Sequence, residues 1–183
     1  MNRITAYIRQ SLQDIYPPEE VKALSMLICC DMLGVDALDI YMGKDIILSA
    51  CKQRELENII FRLQKNEPIQ YIRGYAEFCG RNFRVAPGVL IPRPETAELV
   101  DLIVKENPDA RRLLDIGTGS GCIAISLDKN LPDAKVDAWD ISEEALAIAR
   151  KNNEELDAQV TFRRQDVFSA DGIQGTSYDI IVS

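Results

Sequence analysis

Histidine is absent from the 183 residues. Without an imidazole no Ser-His or Cys-His nucleophile can be assembled. The five cysteines, Cys29, Cys30, Cys51, Cys79 and Cys122, include no Cys-x-x-Cys pair, so no metal site is expected. Cys29-Cys30 stands inside an apolar helical stretch and reads as core filling rather than redox chemistry. No stretch approaches the ~20 consecutive apolar residues that a membrane span needs, and the N-terminus lacks the signal-peptide pattern. No membrane partner is expected, and the chain reads as soluble and cytoplasmic. Internal repeats and low-complexity tracts are missing as well.

What is present suits one ordinary domain with a small companion, since 46% of the residues are apolar. The net charge of −8 is unevenly spread. Residues 1–73 carry 9 basic and 10 acidic groups, whereas residues 111–183 carry 8 and 13. An acidic second half is a poor match for a phosphate backbone, so direct nucleic-acid binding is not expected.

Asp115-Ile-Gly-Thr-Gly-Ser-Gly121 follows the apolar pair Leu113-Leu114 and opens into the apolar stretch Cys122 to Leu127. This is the pattern of a buried strand that ends in a carboxylate, turns through glycines and starts a helix. Nineteen residues past Gly121, the strand Val136 to Trp139 ends in Asp140. Glycines at such a turn let the backbone approach a ligand closely, and an acid at the tip of the next strand can bind both hydroxyls of a ribose. A nucleoside-containing cofactor follows. A dinucleotide fingerprint would place its third glycine at residue 122, which is cysteine; the glycines here are 117, 119 and 121. The Asp-x-Gly-x-Gly-x-Gly form resembles the first motif of S-adenosylmethionine-dependent methyltransferases.

Along the chain the first ~70 residues read as helices. Ile4, Tyr7, Ile8, Leu12 and Ile15 recur at helical spacing. Pro17-Pro18-Glu19-Glu20 starts a second helix that runs to Gly34, and Ala50 to Gln64 forms a third. After Pro68 the pattern changes. Tyr75–Cys79 and Asn82–Val85 flank a Gly80-Arg81 turn, which suggests a hairpin. An amphipathic helix over Pro94–Glu106 follows, then alternating strands and helices at 112–116, 120–130, 135–140, 143–156, 159–164 and 178–183. That alternation implies a parallel, doubly wound α/β sheet with ligands at the carboxyl ends of its strands. The expected division is a helical domain over 1–70, a hairpin and linker over 71–93, and an α/β domain over 94–183.

On residue types alone, Pro92-Arg93-Pro94-Glu95-Thr96 reads as a rigid linker whose Glu95 and Thr96 cap the next helix. Three stretches together are more specific. Pro68-Ile-Gln-Tyr-Ile-Arg-Gly74, Val89-Leu-Ile-Pro-Arg-Pro-Glu-Thr96 and Leu113-Leu-Asp-Ile-Gly-Thr-Gly-Ser-Gly-Cys-Ile-Ala124 resemble the release-factor glutamine methyltransferases of the HemK type. The resemblance spans residues 66–183 and implies a Rossmann-like methyltransferase sheet holding its first four strands. It implies S-adenosyl-L-methionine as cofactor, class 1 peptide chain release factors as partners, and methylation of the glutamine side-chain amide in their Gly-Gly-Gln tip. The helical first domain would then recognise the protein substrate. Carried over by position, Asp115 would belong to the cofactor site, and Gly117, Thr118, Gly119, Ser120 and Gly121 would wrap the methionine part of the cofactor. Asp140 would hold the ribose, Ile141 would belong to the same cofactor site, and Asp166-Val167 would flank the adenine. Ile91, Pro92, Arg93, Pro94, Glu95 and Thr96 would wall the active site.

Two departures stand out. Ala97 occupies a position where the family usually has glutamate. The strand ending Ile-Ile-Val-Ser183 leads into Asn-Pro-Pro-Tyr in the family, and no such tetrapeptide occurs among these residues, so no catalytic residue is assigned. Three functions remain open here: an inactive fragment of a glutamine methyltransferase, an adenine-N6 nucleic-acid methyltransferase, and a non-catalytic cofactor- or protein-binding module. Self-association through an exposed edge strand is the further expectation.

Overall fold

The chain divides into two units, Met1–Arg73 and Gly74–Ser183. The computed structural model describes residues 2–169 and 177–183. In the first unit, α1 (Arg3–Leu12) starts at Asn2, whose side chain accepts a hydrogen bond from the Ile4 amide at 2.8 Å. It stops at Leu12, so Ile15 lies outside the helix and is 41% exposed. Helix α2 (Pro18–Met26) has proline at its first position and Glu19 and Glu20 in its first turn. It widens into a π-helical stretch, Leu27–Met32, and ends where Gly34 takes φ +64° and the Val35 amide reaches back to the Cys29 carbonyl. Two short helices escaped the periodicity, α3 (Ala37–Tyr41) and α5 (Ile69–Arg73), on either side of α4 (Ala50–Leu63). Ile8, Leu12, Ile28, Leu33, Leu56 and Leu63 are each fully buried in a core belonging to this unit alone. Each contributes about 1.5–3 kcal/mol of apolar burial.

The second unit opens with the hairpin β1 (Tyr75–Phe78) and β2 (Arg81–Arg84), with Phe78 opposite Arg81. The two-residue turn is therefore Cys79-Gly80, one position earlier than Gly80-Arg81. Both residues have positive φ (47° and 68°), the condition for a type I′ turn. Phe78 and Phe83 then stack edge to face with ring centroids 6.0 Å apart. Helix α6 (Pro94–Glu106) begins at Arg93 with no side-chain cap, so Glu95 and Thr96 do not cap it; the prolines fix its start instead.

Four parallel strands form the sheet: β3 (Arg112–Ile116), β4 (Lys135–Asp140), β5 (Thr161–Arg164) and β6 (Ile180–Val182), in the order β5-β4-β3-β6. Helices α7 (Cys122–Asn130) and α8 (Glu143–Glu155) alternate with them. The chain runs outward from β3 to β5 and returns beyond β3 to β6. This reversal puts a topological switch point at the carboxyl end of β3, the place where open α/β sheets bind ligands. The glycine turn occupies it. One face of the sheet is packed by a continuous core from Val100 and Ile103 of α6, Ile125 and Leu127 of α7, Leu113, Val136, Ala138, Val160 and Val182.

Candidate functional site

Strand β3 is apolar at Leu113 and Leu114 because it is buried on both faces, and it carries Asp115 into the interior with 1% exposure. The Asp115 carboxylate accepts a hydrogen bond from the Thr118 hydroxyl at 2.7 Å. Burial pushes its pKa up to about 6, against the opposing pull of the Thr118 hydroxyl and the Ala124 amide, while Asp140 adds a further upward push.

From Ile116 the chain turns back over β4, and the amides of Gly117 and Thr118 both donate to the Trp139 carbonyl, at 2.8 and 3.0 Å. Gly117, Gly119 and Gly121 have φ of 75°, 56° and 80°, the left-handed region where side chains are strained. They differ in what surrounds them. A methyl group added to Gly117 would meet nothing within 4 Å, and one on Gly119 only the Gly117 carbonyl at 3.9 Å. One on Gly121 would press Ile125 at 3.1 Å and Ala149 at 3.2 Å. The first two glycines thus leave backbone open to a ligand, and the third lets α7 and α8 pack together.

Asp140 ends β4 and is half-buried. Its Oδ2 accepts from the Gly119 amide at 2.9 Å and its Oδ1 from the Ser142 amide at 2.9 Å. Each carboxylate oxygen accepts two hydrogen bonds, so one further donor fits at each. A vicinal diol supplies two such donors. Ser142 caps α8 through the Ala145 amide at 3.2 Å, with Glu143 and Glu144 in the first turn. Next to Asp140, Ile141 is 63% exposed, and past β5 Val167 and Phe168 are 39% and 94% exposed. The Asp166 side chain accepts from the Phe168 amide at 2.9 Å, which fixes this turn. The carboxyl ends of β4 and β5 therefore carry three exposed apolar side chains suited to a flat ring. Phe168 was not singled out in the sequence, although an aromatic two residues past Asp166 was the available signal.

Ser120 is 2% exposed, and its hydroxyl lies beside the Cys122 thiol, whose pKa burial pushes up to about 11. In the 91–96 segment Arg93, Pro94 and Glu95 are exposed, while Ile91, Pro92 and Thr96 are half-buried. Gly88, just upstream, lies against the Glu144 carboxylate, 3.8 Å from where a β-carbon would sit. The stretch entering the segment is thereby brought to the N-terminus of α8, beside Asp140. No group of three or more Cys, Asp or Glu able to hold a metal occurs among the described residues. Nor does any helix among them have the length and apolarity to cross a membrane.

Residues 4–74 match the PrmC N-terminal domain and residues 95–183 the methyltransferase small domain. The chain is 39% identical over 179 residues to the release factor glutamine methyltransferase of Flavobacterium psychrophilum, covering 95% of this chain and 62% of that protein. It is 49% identical over 154 residues to that of Koribacter versatilis, covering 82% and 54%. With the Lactococcus lactis enzyme it shares 50% identity over 129 residues, 70% of this chain and 47% of the relative. The chain spans roughly half to three-fifths of the length of these relatives. The two matched domains, in this order and at this identity, show that the chain belongs to the release factor glutamine methyltransferase family, whose cofactor is S-adenosyl-L-methionine.

Proposed function

We propose that this chain carries the S-adenosyl-L-methionine site of an enzyme that methylates the side-chain amide nitrogen of the Gly-Gly-Gln glutamine in class 1 peptide release factors. The observation that carries the reading is Asp140, which holds the Gly119 amide on one oxygen and the Ser142 amide on the other while retaining room for one donor at each. The residues fit the cofactor. Asp140 would take the ribose hydroxyls, and the open backbone at Gly117 and Gly119 would lie along the methionine portion, with Thr118, Ser120 and Gly121 completing the turn. Ile141, Asp166 and Val167 would flank the adenine, and Phe168 joins them. Ile91 to Thr96 would wall the side from which the substrate arrives. When bound, the cofactor supplies an electrophilic methyl group on a sulfonium.

A glutamine amide nitrogen is a weak nucleophile, so rate comes mainly from holding it in line with that carbon in a site closed to water. The chain contributes rigidity through a cofactor loop tied to β4 by three amide hydrogen bonds. The amide-orienting groups of the proposed reaction are assigned to no residue here. The helical unit 1–73 would dock the release factor.

Hydrogen bonds to a charged acceptor are worth about 1.5–3 kcal/mol each. Asp140→Ala should therefore weaken S-adenosylhomocysteine binding by one to several orders of magnitude in calorimetry. Asp140→Asn, which keeps the shape and loses the charge, should also lose affinity, and Asp140→Glu should lose less. Affinity unchanged in Asp140→Ala would remove the ribose assignment.

A further inference from the structure

Asn152 sits in the body of α8 with 1% exposure, and all its amide hydrogens are used. Its Oδ1 accepts from the Arg84 amide at 2.7 Å. Its Nδ2 donates to the Arg84 carbonyl at 3.1 Å and to the Ser120 carbonyl at 2.8 Å. The orientation is fixed by its partners, since flipping the amide would set its oxygen against two carbonyls and its nitrogen against an N–H. Toward β2 the side chain imitates a neighbouring strand, taking both the donor and the acceptor of Arg84. Toward the cofactor loop it holds the carbonyl between Gly119 and Gly121. One buried side chain thus joins segments 36 residues apart in sequence, the hairpin that feeds the 91–96 segment and the glycine turn.

We infer that Asn152 is a positioning residue that locks the glycine turn to the hairpin, setting the distance between the cofactor loop and the wall through which substrate arrives. The inference rests on the cofactor reading above for its functional consequence, and on the three hydrogen bonds for its mechanical one. No other natural side chain reproduces the set. Aspartate would face two carbonyls with a carboxylate, serine has one hydrogen to give, and glutamine is longer by a methylene in a buried slot. Arg84 is also gripped from α8 by Glu155, at 2.6 Å from Nε to Oε1, but this exposed pair touches the hairpin alone. Glu155 is therefore the control for the hairpin half. Leu131, 5% exposed and past the far end of α7 from the loop, is the control for overall stability.

The test compares Asn152→Ala, Glu155→Gln and Leu131→Ala by hydrogen exchange and by S-adenosylhomocysteine calorimetry in the 183-residue chain. In Asn152→Ala the amides of Arg84, Gly119 and Gly121 should all exchange at least tenfold faster, and affinity should fall tenfold or more. Glu155→Gln and Leu131→Ala should stay within twofold of the parent affinity, even where Leu131→Ala melts lower. In the unsubstituted chain those three amides should open in one event, with a shared denaturant dependence below global unfolding, a readout independent of whether Asn152→Ala folds. Faster exchange at Arg84 alone, or an affinity loss in Leu131→Ala equal to that in Asn152→Ala, would overturn the inference. If the parent chain failed to bind S-adenosylhomocysteine, the cofactor reading would fall, while the joint opening of the three amides would still decide the coupling.

Discussion

Asp115 shows what a site residue costs the fold that holds it. Its carboxyl is buried with a pKa near 6, against an ordinary value of 3.8. Well below pH 3.8 it is neutral in both folded and unfolded states. As pH rises from about 4 to about 6, the unfolded chain ionises while the folded carboxyl stays protonated, so the folded state loses stability, and above 6 the loss is complete. Roughly two pKa units correspond to about 3 kcal/mol as an upper figure. Asp179 and Glu67 are shifted the other way, Asp179 by the Arg111 and Arg112 amides and Glu67 by Arg62, so their losses come on acidification below their ordinary values. Between about pH 5 and 6, above the ordinary values of both, the slope thus belongs to Asp115. Asp115→Asn, which still accepts from Thr118, should flatten the fall in urea-derived stability over that window. It should exceed the parent by about 1–3 kcal/mol at pH 7.5. An unaltered slope would show that Asp115 ionises freely in the folded chain. Asp115 and Asp140 were legible in the sequence because strand-end acids beside glycines form a local pattern. Asn152 was not. In Arg150-Lys-Asn-Asn-Glu-Glu155 it has the composition of a solvated helix face, and its partners Ser120 and Arg84 lie 32 and 68 residues away.

At the level of elements, those with a long repeat or a marked boundary could be read, and short ones with neither could not. Helix α6 falls on Pro94–Glu106 and strand β4 on Lys135–Asp140, both as the sequence pattern predicts, because a proline start or a buried apolar run with an acidic end marks each boundary. Helices α3 and α5, at 5 residues each, complete little more than one turn, too little for a period to emerge. The π-helical widening at Leu27–Met32 has no glycine or proline within it to announce it. The hairpin turn moved one residue because Cys79 adopts φ 47°, which favours Gly or Asn and is uncommon for cysteine. The first unit encloses its own core, so residues 1–73 made alone should show a helical circular-dichroism spectrum and a cooperative melt. A 73-residue helical unit is marginal, so a low midpoint is acceptable, and Ile28→Ala should abolish the transition at a cost of about 2–5 kcal/mol. A flat melting curve for the unsubstituted segment would show that this core needs the second unit.

Across the molecule, the two outer strands of the four-stranded sheet, β5 and β6, differ in charge and exposure. Strand β5, Thr161-Phe-Arg-Arg164, exposes two arginines along one edge, a pattern that discourages pairing with a neighbour. Strand β6, Ile180-Ile-Val182, has no charge, pairs only with β3 among the described residues, and leaves Ile181 55% exposed. Its outer amides and carbonyls are a template for another strand, and Ile181 supplies apolar surface beside it. Opposing this is the net charge of −8, which repels like copies over a Debye length of about 10 Å at 0.1 M salt and about 3 Å at 1 M. The 183-residue chain should therefore associate with rising concentration in sedimentation velocity, and more strongly as salt is raised. Ile181→Lys should shift it toward monomer by placing a charge on the uncovered strand, whereas Arg163→Lys on β5 should change nothing. A chain that stays monomeric at all salt concentrations, or one whose association survives Ile181→Lys unaltered, would show that β6 is not the surface through which copies meet.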